Sequence, residues 1–110
     1  MAIVHMIIFQ FKADASDKAI QGLCDHMLEL SEKCIHPTTK KPYIRLSDGG
    51  KNNSPEGLTG GFTHGFVMWF LTPEDRDYYV HKDPAHREFV KAASKVVEDV
   101  RVVDFEPGVF

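Results

Sequence analysis

Ile3-Val4-His5-Met6-Ile7-Ile8-Phe9-Gln10-Phe11-Lys12 is the stretch from which the rest of the chain is read. β-Branched and aromatic residues dominate it, which predicts a strand over residues 3–12. Side chains alternate along a strand, so Ile3, His5, Ile7, Phe9 and Phe11 share one side. Val4, Met6, Ile8 and Gln10 share the other. A second stretch, residues 62–72, repeats the pattern: Phe62, His64, Phe66, Met68 and Phe70 oppose Val67, Trp69 and Leu71. Strands apolar on both sides need cover on both sides.

Working outward, residues 16–34 read as a helix, with Ser16 as its cap. Ile20, Leu23, Cys24, Met27, Leu30 and Cys34 recur on one of its faces. A weaker strand is predicted over 43–47, and the Gly-, Asn- and Ser-rich residues 48–61 read as a loop. Thr72-Pro73-Glu74-Asp75 starts a short helix running to about residue 80, and Asp83-Pro84 starts another running to about residue 97. Residues 100–106 close the chain as a strand. The order is β-α-β-β-α-β with the second helical region split, an α+β, ferredoxin-like arrangement. Its helices cover one face of the sheet. The bare apolar face is expected to be an interface, giving a homodimer whose sheets pack face to face.

At 110 residues the chain is expected to form a single domain, 1–110. A net charge of −3 and the absence of a basic stripe argue against a nucleic-acid partner. No apolar run approaches a membrane span, and the first strand lacks the features of a signal peptide. Cys24 and Cys34 read as reduced thiols of a cytoplasmic protein.

Three histidines stand on this apolar ground. An imidazole on a buried face needs a partner or a use. His5 and His64 belong to the two central strands and can point to the same side. His86 leads the apolar stripe Phe89, Val90, Ala93, Val96 and Val97 of the last helix, which must face the sheet. All three rings are therefore expected to converge between sheet and helices. His86, in a first helical turn, is expected to stay neutral and to serve as a general base. Of Tyr78 and Tyr79, one should pack inward. Leu23, Met27, Phe9, Phe62, Phe66, Phe89 and Val90 are the expected walls of a pocket for a small apolar ligand. A zinc site is not expected, since no acidic residue sits beside the histidines in the sequence and the second shell is missing. No cofactor is expected.

Several stretches, in order and spacing, resemble the stress-responsive dimeric α/β-barrel family. They are Ile3-Val4-His5-Met6-Ile7 with Phe9-x-Phe11-Lys12, Gly50-x-Asn52-x-Ser54-Pro55-Glu56-Gly57, Gly61-Phe62-Thr63-His64, Asp83-Pro84-Ala85-His86-x-x-Phe89 and Val102-Val103-Asp104-Phe105. The resemblance implies a ferredoxin-like protomer in a homodimeric α/β barrel. It also implies cofactor-free chemistry in a few plant members, a polyketide cyclase and a hydroxynitrile lyase. Carried over from the cyclase, His5, His64 and His86 are pocket histidines, with His86 the base, and Tyr78 is the catalytic tyrosine. Met27 falls where the cyclase has a second pocket tyrosine, which puts the cyclase's own substrate in doubt. The alternatives are a non-catalytic stress-response protein with structural histidines and, by analogy of fold alone, a cofactor-free monooxygenase.

Overall fold

The computed structural model describes residues 1–110. The elements follow in the order β1 (Ile3–Phe11), α1 (Asp17–Lys33), β2 (Ile44–Lys51), β3 (His64–Phe70), α2 (Pro73–His81), α3 (Pro84–Ser94) and β4 (Val97–Phe105). The strands form one antiparallel sheet in the order β2-β3-β1-β4, the ferredoxin-like topology.

Local chemistry sets the helix starts. Ser16 accepts from the Ala19 amide at 3.0 Å and Thr72 from Asp75 at 3.1 Å. Asp83 accepts from Ala85 at 2.8 Å, and Pro73 and Pro84 occupy first-turn positions where no amide is missed. Cys34 leaves helical geometry as the C-cap of α1 (φ −79°, ψ 111°), so the first helix ends at Lys33.

Two boundaries differ from expectation. The last helix stops at Ser94, and Val97 opens β4 opposite Phe11. Lys95 and Val96 form the turn after α3, and the β-branched Val97, which continues the apolar stripe, takes extended backbone where β1 is there to pair with it. The second strand runs on through Asp48-Gly49-Gly50 to Lys51, residues that read as loop. Gly49 lies opposite Phe66, and a Cβ there would overlap the Phe66 ring. This glycine serves close approach within a sheet.

One face of the sheet meets the helices. Ile7, Phe9, Phe66, Met68 and Phe70 pack there against Leu23, Met27 and Leu30 of α1, Tyr79 of α2 and Phe89 of α3. The opposite face carries no helix. Met6, Ile8, Leu46, Trp69, Val103 and Phe105 stand on it between 37% and 56% exposed. No helix of the protein is long and apolar enough to cross a membrane.

Candidate functional site

A cavity of about 700 Å³ opens between the helix-facing side of β1 and β4 and the pair α2 and α3. Its buried floor includes His5, Ile7, Phe9, Met27, Tyr79 and Phe89. His5 and His86 both line it.

The β1–β4 register sets Asp104 directly opposite His5. His5 Nδ1 lies 2.6 Å from Asp104 Oδ1. A carboxylate only accepts, so Nδ1 carries the proton and Nε2 is the atom left to meet a ligand. The other carboxylate oxygen accepts from Arg76 Nη1 at 2.9 Å, and Arg76 Nε donates to Asp77 at 2.7 Å. These hydrogen bonds, to Asp77 and then Asp104, hold the guanidinium even more firmly protonated than usual.

His86 occupies the first turn of α3, fixed by the Asp83 cap. Its Nδ1 is buried and has no hydrogen-bond partner in the protein. Burial, and then repulsion from His5, push its pKa below the ordinary histidine value, while Asp83 and the Tyr79 backbone pull the other way. The ring is therefore neutral near pH 7. Tyr79 packs against both imidazoles, with ring centroids 4.1 Å from His86 and 5.8 Å from His5.

The expected trio does not assemble. His64 shares the face of His5 but pairs with Phe9, four residues along β1, whereas His5 pairs with Met68. At about 3.3 Å per residue the two rings are set roughly 13 Å apart along the strand. His64 borders a separate hollow of about 370 Å³ with Gln21, Cys24 and Lys51. Its Nδ1 lies 2.8 Å from Thr63 Oγ1, and its pKa is lowered by burial and then by Lys51.

Tyr78 is also displaced from its expected place. It packs against Tyr43 and His36, and its neighbour Tyr79 lines the cavity instead. Successive helix residues diverge by about 100°, so one tyrosine excludes the other. Of the expected walls, Phe9, Met27, Phe89 and Val90 line the cavity. Leu23 is buried in the core beneath it, Phe66 borders the His64 hollow, and Phe62 lies under the Arg101 guanidinium.

Asp104 and Arg76 went unnoticed in the sequence. Asp104 interrupts Val102-Val103-Asp104-Phe105 as His5 interrupts its own strand, and that was the available signal. It also corrects the expectation that no acid stands beside the histidines. No three His, Cys, Asp or Glu side chains are grouped to hold a metal ion.

Behind α3 lies a second polar group. Asp83, 1% exposed, accepts from the Tyr43 hydroxyl, and burial, with Asp83 next, pushes the Tyr43 and Cys34 pKa values well up.

The sequence model of the stress-responsive A/B barrel domain matches residues 3–107. The chain belongs to that family. Among solved structures, a protein from Arabidopsis thaliana is 28% identical and superposes with a TM-score of 0.79, covering 98% of this chain and 97% of that one. A hydroxynitrile lyase from Passiflora edulis shares the A/B barrel fold at 20% identity and TM-score 0.81, covering 99% and 96%. A dimeric ferredoxin-like protein of unknown function from Bacteroides fragilis does so at 19% and 0.67, covering 96% and 95%. A search of curated proteins gave no match.

Proposed function

We propose that this A/B barrel protein is a cofactor-free acid/base enzyme that makes or breaks a carbon–carbon bond beside the carbonyl of a small apolar compound. Its reaction class is that of a lyase or a polyketide-type cyclase. The observation that carries the reading is His86: a neutral imidazole with a buried, unpartnered Nδ1, at the edge of a largely apolar cavity that also holds His5.

In this reading His86 removes the proton, from an α-carbon or from the hydroxyl of a cyanohydrin-like substrate. In ring closure His5, held as the imidazolium by the Asp104 carboxylate at Nδ1, gives its Nε2 proton to the carbonyl oxygen as the new carbon–carbon bond forms; in cyanohydrin cleavage the same Nε2 proton goes to the departing cyanide as the carbonyl is released. Tyr79, in the place expected for Tyr78, packs both rings in position. His64 and Phe62, set apart from the cavity, have no part in the step. The fold shared with a hydroxynitrile lyase is compatible with this chemistry.

The working unit is a homodimer, with the bare apolar face of one sheet against its copy. Related structures of the same fold are described as dimeric, which supports a homodimer. The free thiols of Cys24 and Cys34 suit a cytoplasmic setting. Trp69 stands on the dimer-forming face and not in the cavity, so it offers nothing to a monooxygenase reaction.

The test is a screen of cyanohydrins and linear polycarbonyl compounds, followed by carbonyl release or ring closure. Turnover by the wild type that His86→Ala removes, with dimer and fold retained, is the expected result. Turnover that survives His86→Ala overturns the mechanism. The tie between His5 and Asp104 also favours a second reading, a ligand-binding stress protein without chemistry. There the same substitution changes stability and no rate exists to lose.

A further inference from the structure

Asp83 is an anion buried without a cation. It is 1% exposed, and no lysine, arginine or histidine nitrogen comes within ion-pair distance of it. The groups bonded to it all donate: the Ala85 amide at 2.8 Å, the Tyr43 hydroxyl and the Cys34 thiol. An oxygen pair surrounded by donors is a carboxylate, and neutral donors spread its charge without cancelling it. Capping does not require that charge. Ser16 and Thr72 cap α1 and α2 with hydroxyls. The third helix carries a full charge at its cap where water is excluded, the costliest place for one.

One turn along stands His86. A cap and the third residue of its helix share a side and lie within reach of each other. Nδ1 of His86 has no hydrogen-bond partner, so Asp83 acts on that atom through space. Burial, repulsion from His5 and the positive end of α3 all oppose a charged ring at His86, and the Asp83 carboxylate works the other way.

Resting on the reading of His86 as the general base, we infer that Asp83 is a positioning residue whose buried carboxylate is the counter-charge for the His86 imidazolium. The proton passes from the α-carbon or hydroxyl of the substrate to Nδ1, and the Asp83–His86 pair goes from one negative charge to none. When the ring gives the proton up, the negative charge is restored. From the cavity side His86 is faced by Tyr79 of α2 and by His5 of β1, with Asp104 of β4 and Arg76 of α2 behind His5. Of the other charged groups lining the cavity, Asp77, His81 and Glu98 are exposed and screened by solvent, and Asp99 is tied to Arg101.

Proton NMR titration of the His86 ring in the full-length protein, assigned with His86→Gln, tests this. Asp83→Asn keeps the cap and nearly the shape while removing the charge. The His86 midpoint should fall by about one unit, as expected when a nearby opposite charge is lost. With a cyanohydrin or polycarbonyl compound that the wild type turns over, the acid limb of kcat/KM should move down with it. kcat should drop about threefold with KM unchanged, the response to a weaker base. Asp83→Ser, a cap without charge, should give the same shift and serves if the asparagine variant does not fold. Tyr43→Phe disturbs the same packing but keeps the charge, so the His86 midpoint should move much less.

A midpoint unmoved by Asp83→Asn, or moved equally by Tyr43→Phe, overturns the inference, because the carboxylate would then only hold the fold. The two readings fail separately. A shifted midpoint in a protein that turns over no carbonyl compound defeats the enzyme reading and leaves the pair coupled. Turnover that needs His86, with a midpoint and pH profile indifferent to Asp83, defeats this inference alone.

Discussion

His5 and Asp104, ninety-nine residues apart in sequence, face each other across β1 and β4 with Nδ1 2.6 Å from Oδ1. The carboxylate is itself held by Arg76, so one buried imidazole is anchored to two elements at once. Asp104→Asn keeps the shape and removes the charge. It is expected to lower unfolding stability by roughly 1.5–3 kcal/mol, the range for hydrogen bonds to charged groups. Urea denaturation at pH 7 measures it, and a change under about 0.5 kcal/mol would mean the pair is energetically idle.

His86 makes stability depend on pH in a defined direction. Its folded pKa lies below the ordinary value, so between the two values the unfolded chain binds more protons. The contribution is complete above about pH 6.5, the ordinary histidine value, and is lost as pH falls through that value toward the folded one. His64, also lowered, acts in the same sense. Denaturation midpoints measured from pH 7.5 to 5 should fall on acidification, and less steeply in His86→Gln. A slope unchanged by that substitution assigns the effect elsewhere.

Asp83 buries a carboxylate that caps α3 and accepts from Tyr43. Tyr43→Phe leaves one of its oxygens without that donor in an apolar surround, at a cost of about 1–3 kcal/mol. Tyr78→Phe serves as the comparison, since Tyr78 packs beside Tyr43. The thermal midpoint should drop clearly more for Tyr43→Phe, and equal drops would show that the hydroxyl of Tyr43 is not what holds Asp83.

The sheet face opposite the helices should govern association. Trp69→Asp combined with Val103→Asp places two charges on it without touching the cavity. Sedimentation should show the wild type as a dimer and the double variant as a monomer. A wild type that sediments as a monomer at micromolar concentration removes the homodimer proposal.

Much of the fold was legible. The period-two pattern of residues 3–11, the caps at Ser16, Thr72 and Asp83, and the paired prolines placed the elements and their order. The misses were Val96-Val97, read as helix, and Asp48-Gly49-Gly50, read as loop. Val97 and Asp48-Gly49-Gly50 became strand, with Val96 in the turn before it, because a neighbour was available to pair, which a local pattern does not report. The site was legible only in part. Strand alternation for His5 and His64, and the helical stripe for His86, identified the side on which the three stand, but face is only one coordinate. His64 shares the face and lies four residues away along it.

The sequence by itself determined that the chain has a ferredoxin-like fold with one sheet face under helices, one left bare, and imidazoles on the covered side. Periodicity and capping are local, and they carry that much. Only the tertiary structure decided which polar groups meet. The register of β1 against β3 separated His64 from His5, and the register of β1 against β4 brought Asp104 to it. The rotation of α2 turned Tyr79, and not Tyr78, toward the cavity. Register and helix rotation are set by the packing of the whole core, so no window of the sequence contains them.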